Sequence, residues 1–140
     1  MKYDIYISDK DKKTVLQLPI TPEQMPSLSK ASKNEEFETF DNGTFNIIGD
    51  VGLLEFTLES WLPAQGRVYS FQRVKNINPY KYIDLINISM RDKKPIQVVI
   101  ARDNGTFVVN NTFSIISFEY HENKIGNFEY SLSLKQWREY

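Results

Sequence analysis

The chain has 140 residues, 41% of them hydrophobic, and its 17 Lys and Arg side chains oppose 18 Asp and Glu for a net charge of −1. This length fits one domain with an ordinary core, so we expect residues 1–140 to form a single domain. The balanced charge excludes a dedicated nucleic-acid binder, and the lack of cysteine excludes disulfides, thiol catalysis and thiolate zinc sites. No apolar signal segment or membrane-spanning stretch is visible, so no membrane partner is expected.

Most of the chain alternates apolar and polar residues with a period of two, which is typical of half-buried strands. In the clearest case Leu54, Phe56 and Leu58 alternate with Glu55, Thr57 and Glu59. The predicted strands are residues 3–7, 14–18, 30–40, 45–48, 52–62, 95–101, 106–109, 112–120 and 128–135.

Residues 78–94 follow a helical period instead. Asn78 is a candidate N-cap and Pro79 suits the first helical position. Five apolar residues share one broad side of this predicted helix: Tyr82, Ile83, Leu85, Ile86 and Met90. Three basic residues before Pro95 complement the helix dipole at the last turn: Arg91, Lys93 and Lys94. We therefore predict a mostly β (α+β) domain, an antiparallel β-sandwich or barrel with one flanking α-helix.

The pentapeptide DNGTF occurs twice, at residues 41–45 and 103–107. Asn-Gly tolerates the positive φ angles of a tight hairpin turn, and both copies lie between predicted strands. The similarity stops at these five residues, so turn chemistry explains it better than an internal duplication. The stretch NKIG at residues 123–126 predicts a third hairpin turn.

The sequence carries no recognisable catalytic constellation. His121 is the single histidine, near the end of a predicted strand, and neither a G-x-S-x-G elbow nor a glycine-rich phosphate loop is present. Adjacent acids such as Glu35, Glu36 and Glu38 usually form a solvated face. We therefore expect no enzyme, and assign no catalytic, cofactor-binding or metal residues; His121 would be the first residue to mutate in testing an enzymatic role.

The long connection at residues 63–79 contains several aromatic and apolar residues, among them Tyr69 and Phe71. Loops with exposed aromatics on a rigid scaffold often serve as contact surfaces. The alternative, in which these side chains fold back on their own core, is equally compatible with the sequence.

The segment of residues 30–48 predicts two strands joined at residues 41–43. Its first strand is polar on both sides apart from Phe37 and Phe40, so it lacks an apolar face for burial in its own subunit. Such a strand either projects into water or pairs with another chain through its backbone edge. We expect this segment to serve assembly.

The order of these elements resembles the N-terminal, tail-tube-like domain of the XkdP-like proteins of PBSX-type defective prophages and contractile-tail phages, which are tail and baseplate components. The resemblance covers nearly the whole chain and rests on the following stretches: LQLPITPEQM, SKNEEFETF leading to FNIIGD, LEFTLESWLPAQ, NPYKYIDLI, KKPIQVVIA and NFEYSLSLKQWREY. Members of that family typically continue into a C-terminal LysM module. This sequence does not contain one, so the resemblance implies no LysM-mediated contact.

For this chain the resemblance implies a structural virion protein that assembles in the host cytoplasm into a homo-oligomeric, six-membered ring. The ring would connect the tail tube protein to the central baseplate hub protein, initiate tube assembly, and let phage DNA pass only in transit. We assign the residues accordingly: Phe37, Phe40, Phe45, Leu53 and Glu55 to the subunit interface, Tyr69, Phe71 and Arg73 to the next ring or the hub, and Glu35, Glu36 and Glu38 to the channel. The acidic group would repel phosphate, so DNA would slide past it.

A monomeric β-module that binds carbohydrate or peptide is the alternative from another functional class. It would use the aromatic loop of residues 63–79 as its recognition surface. Such a module would stay monomeric at micromolar concentration, whereas the ring protein would assemble.

Overall fold

The computed structural model describes residues 3–22, 24–39, 43–75 and 77–138. Its secondary structure is eight strands and one helix: β1 (Tyr3–Asp9), β2 (Val15–Gln17), β3 (Glu35–Thr39), β4 (Gly43–Ile47), β5 (Glu55–Leu62), α1 (Pro79–Arg91), β6 (Ile96–Arg102), β7 (Phe107–Glu122) and β8 (Phe128–Gln136). The predicted fold class is confirmed: the chain is mostly β, with one helix and a curled antiparallel sheet.

The main sheet has six antiparallel strands in the order β2-β1-β6-β7-β8-β5. Strand β7 is the longest: its first half pairs with β6 and its second half pairs with β8. The sequence predicts two strands here, at 106–109 and 112–120, but one strand spans both. A register shift between Ile115 and Ser117 leaves Ile116 exposed, and such a bulge bends the strand and helps the sheet to curl.

The core lies on the face of this sheet that α1 covers. The alternation predicted for β5 and β8 is confirmed, because their apolar residues are buried: Leu54, Phe56, Leu58 and Leu62, then Phe128, Tyr130, Leu132 and Leu134. Helix α1 adds Tyr82, Ile83 and Ile86 to the same cluster.

Helix α1 begins as predicted but ends earlier than predicted, at Arg91, so Lys93 and Lys94 lie beyond its last turn. The Asn78 side chain caps the helix by accepting a hydrogen bond from the Tyr80 amide at 3.1 Å, and Pro79 occupies the first turn. The Tyr82 hydroxyl donates to the Gln17 carbonyl, which ties the helix to the segment after β1. Burial raises the pKa of Tyr82 to about 12.

All three predicted hairpins are present. The turns contain Gly43, Gly105 and Gly126 at positive φ, which explains the glycine in each motif. The first hairpin, β3–β4, forms a two-stranded sheet of its own rather than joining the main one. The predicted strand over residues 30–40 is shorter than expected, since regular pairing begins only at Glu35.

Candidate assembly surfaces

Strand β5 ends the main sheet and offers one backbone edge away from β8. Glu55 exchanges two backbone hydrogen bonds with Ser29, at 2.8 and 2.9 Å, on that outer side. In an antiparallel strand every second residue directs its backbone groups to the same side, so Thr57 and Glu59 also point outward. Residues 24–27 bow away from them and leave a gap of about 510 Å³. No described residue is hydrogen-bonded to the outward backbone groups of Thr57 and Glu59, so they form a short edge to which another strand can pair.

The β3–β4 hairpin stands at the end of a longer two-stranded stem. From the Ser29 to Glu55 pair, the stem continues through hydrogen bonds from the Gly52 amide to Ala31 and from the Lys33 amide to Asp50. We call residues 29–55 the ribbon. The side from residue 29 to 39 reaches up to roughly 33 Å from the sheet at the usual rise of a strand.

The ribbon contributes little to its own subunit's core. Residues 30–34 are exposed, and Ile48, at its return side, is 84% exposed. Leu54, at the foot of the stem, is its single described residue in the buried core cluster. The described part of the ribbon is thus not tucked inside the molecule, which agrees with the expectation drawn from its sequence.

Of the predicted interface residues, the structure brings Phe37 and Phe45 together as direct partners in the β3–β4 register. Phe40 lies outside the described residues, as do the side chains of Phe37, Phe45, Glu35 and Glu38. Glu36 is exposed. At the foot of the ribbon Leu53 is half-buried, and the Glu55 carboxylate pairs with Lys135 at 3.2 Å.

The sequence left open whether the aromatic side chains of the loop at residues 63–79 are exposed or fold back on the core, and the structure shows one of each. Tyr69 folds back, with its ring against Trp61 at 5.3 Å and its hydroxyl accepting from the buried Asn127 amide at 3.1 Å. That hydrogen bond lowers the pKa of Tyr69. Phe71 stacks on Tyr69 at 5.4 Å yet remains 59% exposed. The loop therefore presents an aromatic surface on a fixed base.

Arg73, also predicted for an inter-ring contact, is engaged within the chain. Its Nε donates to Asp4 at 2.7 Å, and this hydrogen bond raises the pKa of Arg73. Its backbone amide donates to the Pro19 carbonyl at 2.7 Å. Arg73 thus anchors the far end of the loop to β1.

Sequence reasoning missed the two residues that organise this loop, Trp61 and Asn127. Trp61 is half-buried and carries both loop aromatics, and Asn127 accepts from the Ala64 amide at 2.9 Å while it holds Tyr69. The position of Trp61 breaks the apolar alternation of β5, which was a usable signal. Asn127 gave none, because the partners of its side chain, Ala64 and Tyr69, lie far away in sequence.

A broad open groove of about 950 Å³ lies at the end of β5, β7 and β8 and contains His121. His121 Nε2 lies 2.7 Å from Glu129, and both side chains are exposed. Among the described residues no Ser or Thr hydroxyl is hydrogen-bonded to His121, so the triad geometry that a serine hydrolase needs is not formed there. The described residues also contain no cluster of three potential metal ligands, and no described helix is long and apolar enough to cross a bilayer.

Comparison with known proteins finds similarity among solved structures. No protein-family model matches the chain, and no curated protein matches it in sequence. A chain in the structure titled "Cryo-EM structure of the anti-feeding prophage (AFP) baseplate, 6-fold symmetrised" is similar, with a TM-score of 0.53 and 13% identity. The match covers 98% of this chain and 89% of that chain. At this identity the similarity establishes the fold alone, which this chain shares with a chain of that baseplate structure.

Proposed function

We propose that this chain is a structural component of a phage-type baseplate, and more specifically an XkdP-like protein whose copies form a ring between the tail tube and the central hub. The observation that carries the proposal is the ribbon beside the open edge of β5. Both are backbone surfaces that a neighbouring copy is able to complete. The fold similarity to a chain of a 6-fold symmetrised baseplate supports a six-membered ring.

In this proposal the ribbon and β5 make the lateral contact between subunits. The gap beside Thr57 and Glu59 is wide enough for an extended segment from the next copy, whose backbone would complete the hydrogen bonds that β8 does not reach. Leu53 and Glu55 lie at the start of this edge, and Phe37 and Phe45 lie farther along the ribbon. Repeating the contact in one direction closes a ring in which the β5 edge of every copy is paired.

The remaining predicted roles follow from the same arrangement. Phe71 and Tyr69 contact the hub or the next ring, with Phe71 as the exposed anchor. Glu36, which is exposed, and its neighbours Glu35 and Glu38 face the channel through which phage DNA passes. The completed ring starts the polymerisation of the tail tube, and assembly takes place in the host cytoplasm before the protein is found in the virion.

Proline at position 57 tests the lateral contact. The Thr57 amide points away from β8, so Thr57→Pro removes an outward donor without removing a backbone hydrogen bond of the sheet. It does remove the side-chain hydrogen bond between Thr57 Oγ1 and Ser133 Oγ, which are 3.1 Å apart. We expect a folded chain whose ring formation, measured by mass photometry and negative-stain microscopy, is lost. Leu58→Pro is the matched control, since its amide faces β8 and its loss should unfold the domain.

Normal rings from a folded Thr57→Pro chain would contradict the β5 contact. An unaltered chain that stays monomeric at micromolar concentration and binds a soluble glycan or peptide through Phe71 would instead establish the monomeric binding module. The aromatic surface of Trp61, Tyr69 and Phe71 is the feature that favours this alternative, because it would be the surface that binds the ligand.

A further inference from the structure

The open groove beside Trp61 is both aromatic and acidic. Glu59 from β5, Glu119 from β7 and Glu129 from β8 line it together with Trp61 and Tyr120. None of its described lining residues is Lys or Arg. Glu129 is held by His121, whereas Glu59 and Glu119 form no ion pair with any described residue. Carboxylates beside aromatic faces attract a cation that has an apolar stem.

The opposite chemistry is found where α1 ends. After Arg91 the chain turns sharply through Lys93, which has a φ of 56°, and the Lys93 and Lys94 amides donate back to the Met90 and Ser89 carbonyls. We call Arg91, Lys93 and Lys94 the basic corner; all three are exposed.

Exposed apolar side chains lie next to the basic corner. Ile88 and Met90, in the last turn of α1, are exposed large hydrophobic residues. Cations at a helix C-terminus favour the helix dipole, which is sufficient reason for one basic residue near Arg91. It does not explain two further lysines after the helix has ended, next to uncovered apolar side chains.

The groove and the basic corner lie too far apart to meet within one chain. Strand β8 starts beside the groove, where Glu129 lies, and leads to Trp137, which shares a shallow depression with Lys93 and Lys94. At the usual rise of a strand, Glu129 and Trp137 are roughly 26 Å apart. The two surfaces therefore cannot pair within one chain, but a second copy offers each of them a surface of opposite charge.

We propose that a second copy of this chain inserts its basic corner into the acidic groove. Lys93 and Lys94 of the incoming copy reach the carboxylates of Glu59 and Glu119, and their stems lie over the Trp61 and Tyr120 rings. The contact joins two different surfaces, so it is directional and orders copies head to tail. The inference rests on the proposed function, because it names one contact by which copies of the ring protein recognise one another.

Charge reversal on each surface tests this contact. We expect Glu59→Lys with Glu119→Lys, and separately Lys93→Glu with Lys94→Glu, to weaken self-association at least about tenfold, as measured by sedimentation velocity. Mixing the two variants, or combining all four substitutions in one chain, should restore assembly, since opposite charges then meet again. Added salt should weaken assembly of the unaltered chain.

Matched controls carry the same charge changes elsewhere. Asp84→Lys with Glu122→Lys alters two exposed acids outside the groove lining, and Lys12→Glu with Lys13→Glu alters two exposed lysines outside the corner. Circular dichroism should show that every variant is folded. Control variants that assemble normally, together with recovery on mixing, would support the contact.

The experiment distinguishes failure of this contact from failure of the proposed function. If both reversal variants assemble as the unaltered chain does, the groove and the corner do not meet, while the proposed ring through β5 stands. Loss of assembly that mixing does not restore also overturns this contact. If the unaltered chain does not self-associate at any salt concentration, the proposed function fails along with it.

Discussion

At the scale of single residues, two buried tyrosines make opposite contributions to stability. The Tyr82 hydroxyl donates to the Gln17 carbonyl, whereas the Tyr130 hydroxyl is buried and forms no hydrogen bond with any described residue. Its cross-strand partner Ser60 donates its own proton to the Ile20 carbonyl at 3.0 Å. Burial raises the pKa of Tyr130 beyond its usual range, and the nearby Ser60 hydroxyl opposes this only in part.

Removing each hydroxyl should therefore have a different effect. We expect Tyr130→Phe to leave the free energy of unfolding unchanged or to raise it by about 1 kcal/mol, because an unsatisfied buried hydroxyl is costly. Tyr82→Phe should lower it by about 1 kcal/mol, since the partly buried Gln17 carbonyl loses its donor. Urea titrations of both variants measure the difference. A larger loss for Tyr130→Phe than for Tyr82→Phe would contradict this view of the core.

At the scale of elements, the ribbon depends on two close backbone approaches at glycine. A Cβ on Gly49 would overlap the Lys33 carbonyl group, and one on Gly52 would lie 2.5 Å from the Ala31 oxygen. Any side chain at these positions forces the two sides of the stem apart. The two sides of the ribbon thus approach closely through contacts that have no part in the core.

We expect Gly49→Ala to open the stem while the main sheet stays folded. Amide hydrogen exchange should rise over residues 29–39 and 43–52, with the thermal midpoint of the sheet changed by no more than a few degrees. Gly66→Ala is the control: nothing lies near the missing side chain of Gly66, which is outside the ribbon, so only its positive φ makes the substitution unfavourable. Unchanged exchange in the ribbon of Gly49→Ala would show that the stem tolerates the side chain.

At the scale of the whole molecule, the ribbon and the sheet are separable units. The described core cluster draws on β1, β5, β6, β7, β8 and α1, and on no described residue between Lys33 and Asp50. The backbones of these two residues are hydrogen-bonded at 2.8 Å. A two-residue Asn-Gly turn is therefore able to join them in place of residues 34–49.

The chain shortened in this way should fold and should not form rings. We expect near-ultraviolet circular dichroism like that of the full chain and a thermal midpoint within a few degrees of it, because no core contact is removed. Mass photometry should show monomers. Rings from the shortened chain would mean that assembly does not require the hairpin, and failure to fold would mean that the hairpin supports the core.

The sequence by itself determined the local structure of this protein. Period-two alternation placed β5 and β8 and their buried faces, Asn78 and Pro79 placed the start of α1, and the three glycine turns placed the hairpins. These features depend on neighbours a few residues away, so they can be predicted from the sequence. The exposure of the ribbon could also be predicted, because its polar composition leaves no apolar face to bury.

Only the tertiary structure decided which strand ends the sheet and which surfaces remain open. The alternation of β5 is the same whether the strand is central or at the edge, so the edge at Thr57 and Glu59 could not be read from it. The positions of Trp61, Asn127 and the basic corner likewise depend on partners distant in sequence, such as Tyr69 and Trp137. Contacts of this kind arise from the order in which strands pair, and pairing order is not encoded in any local pattern.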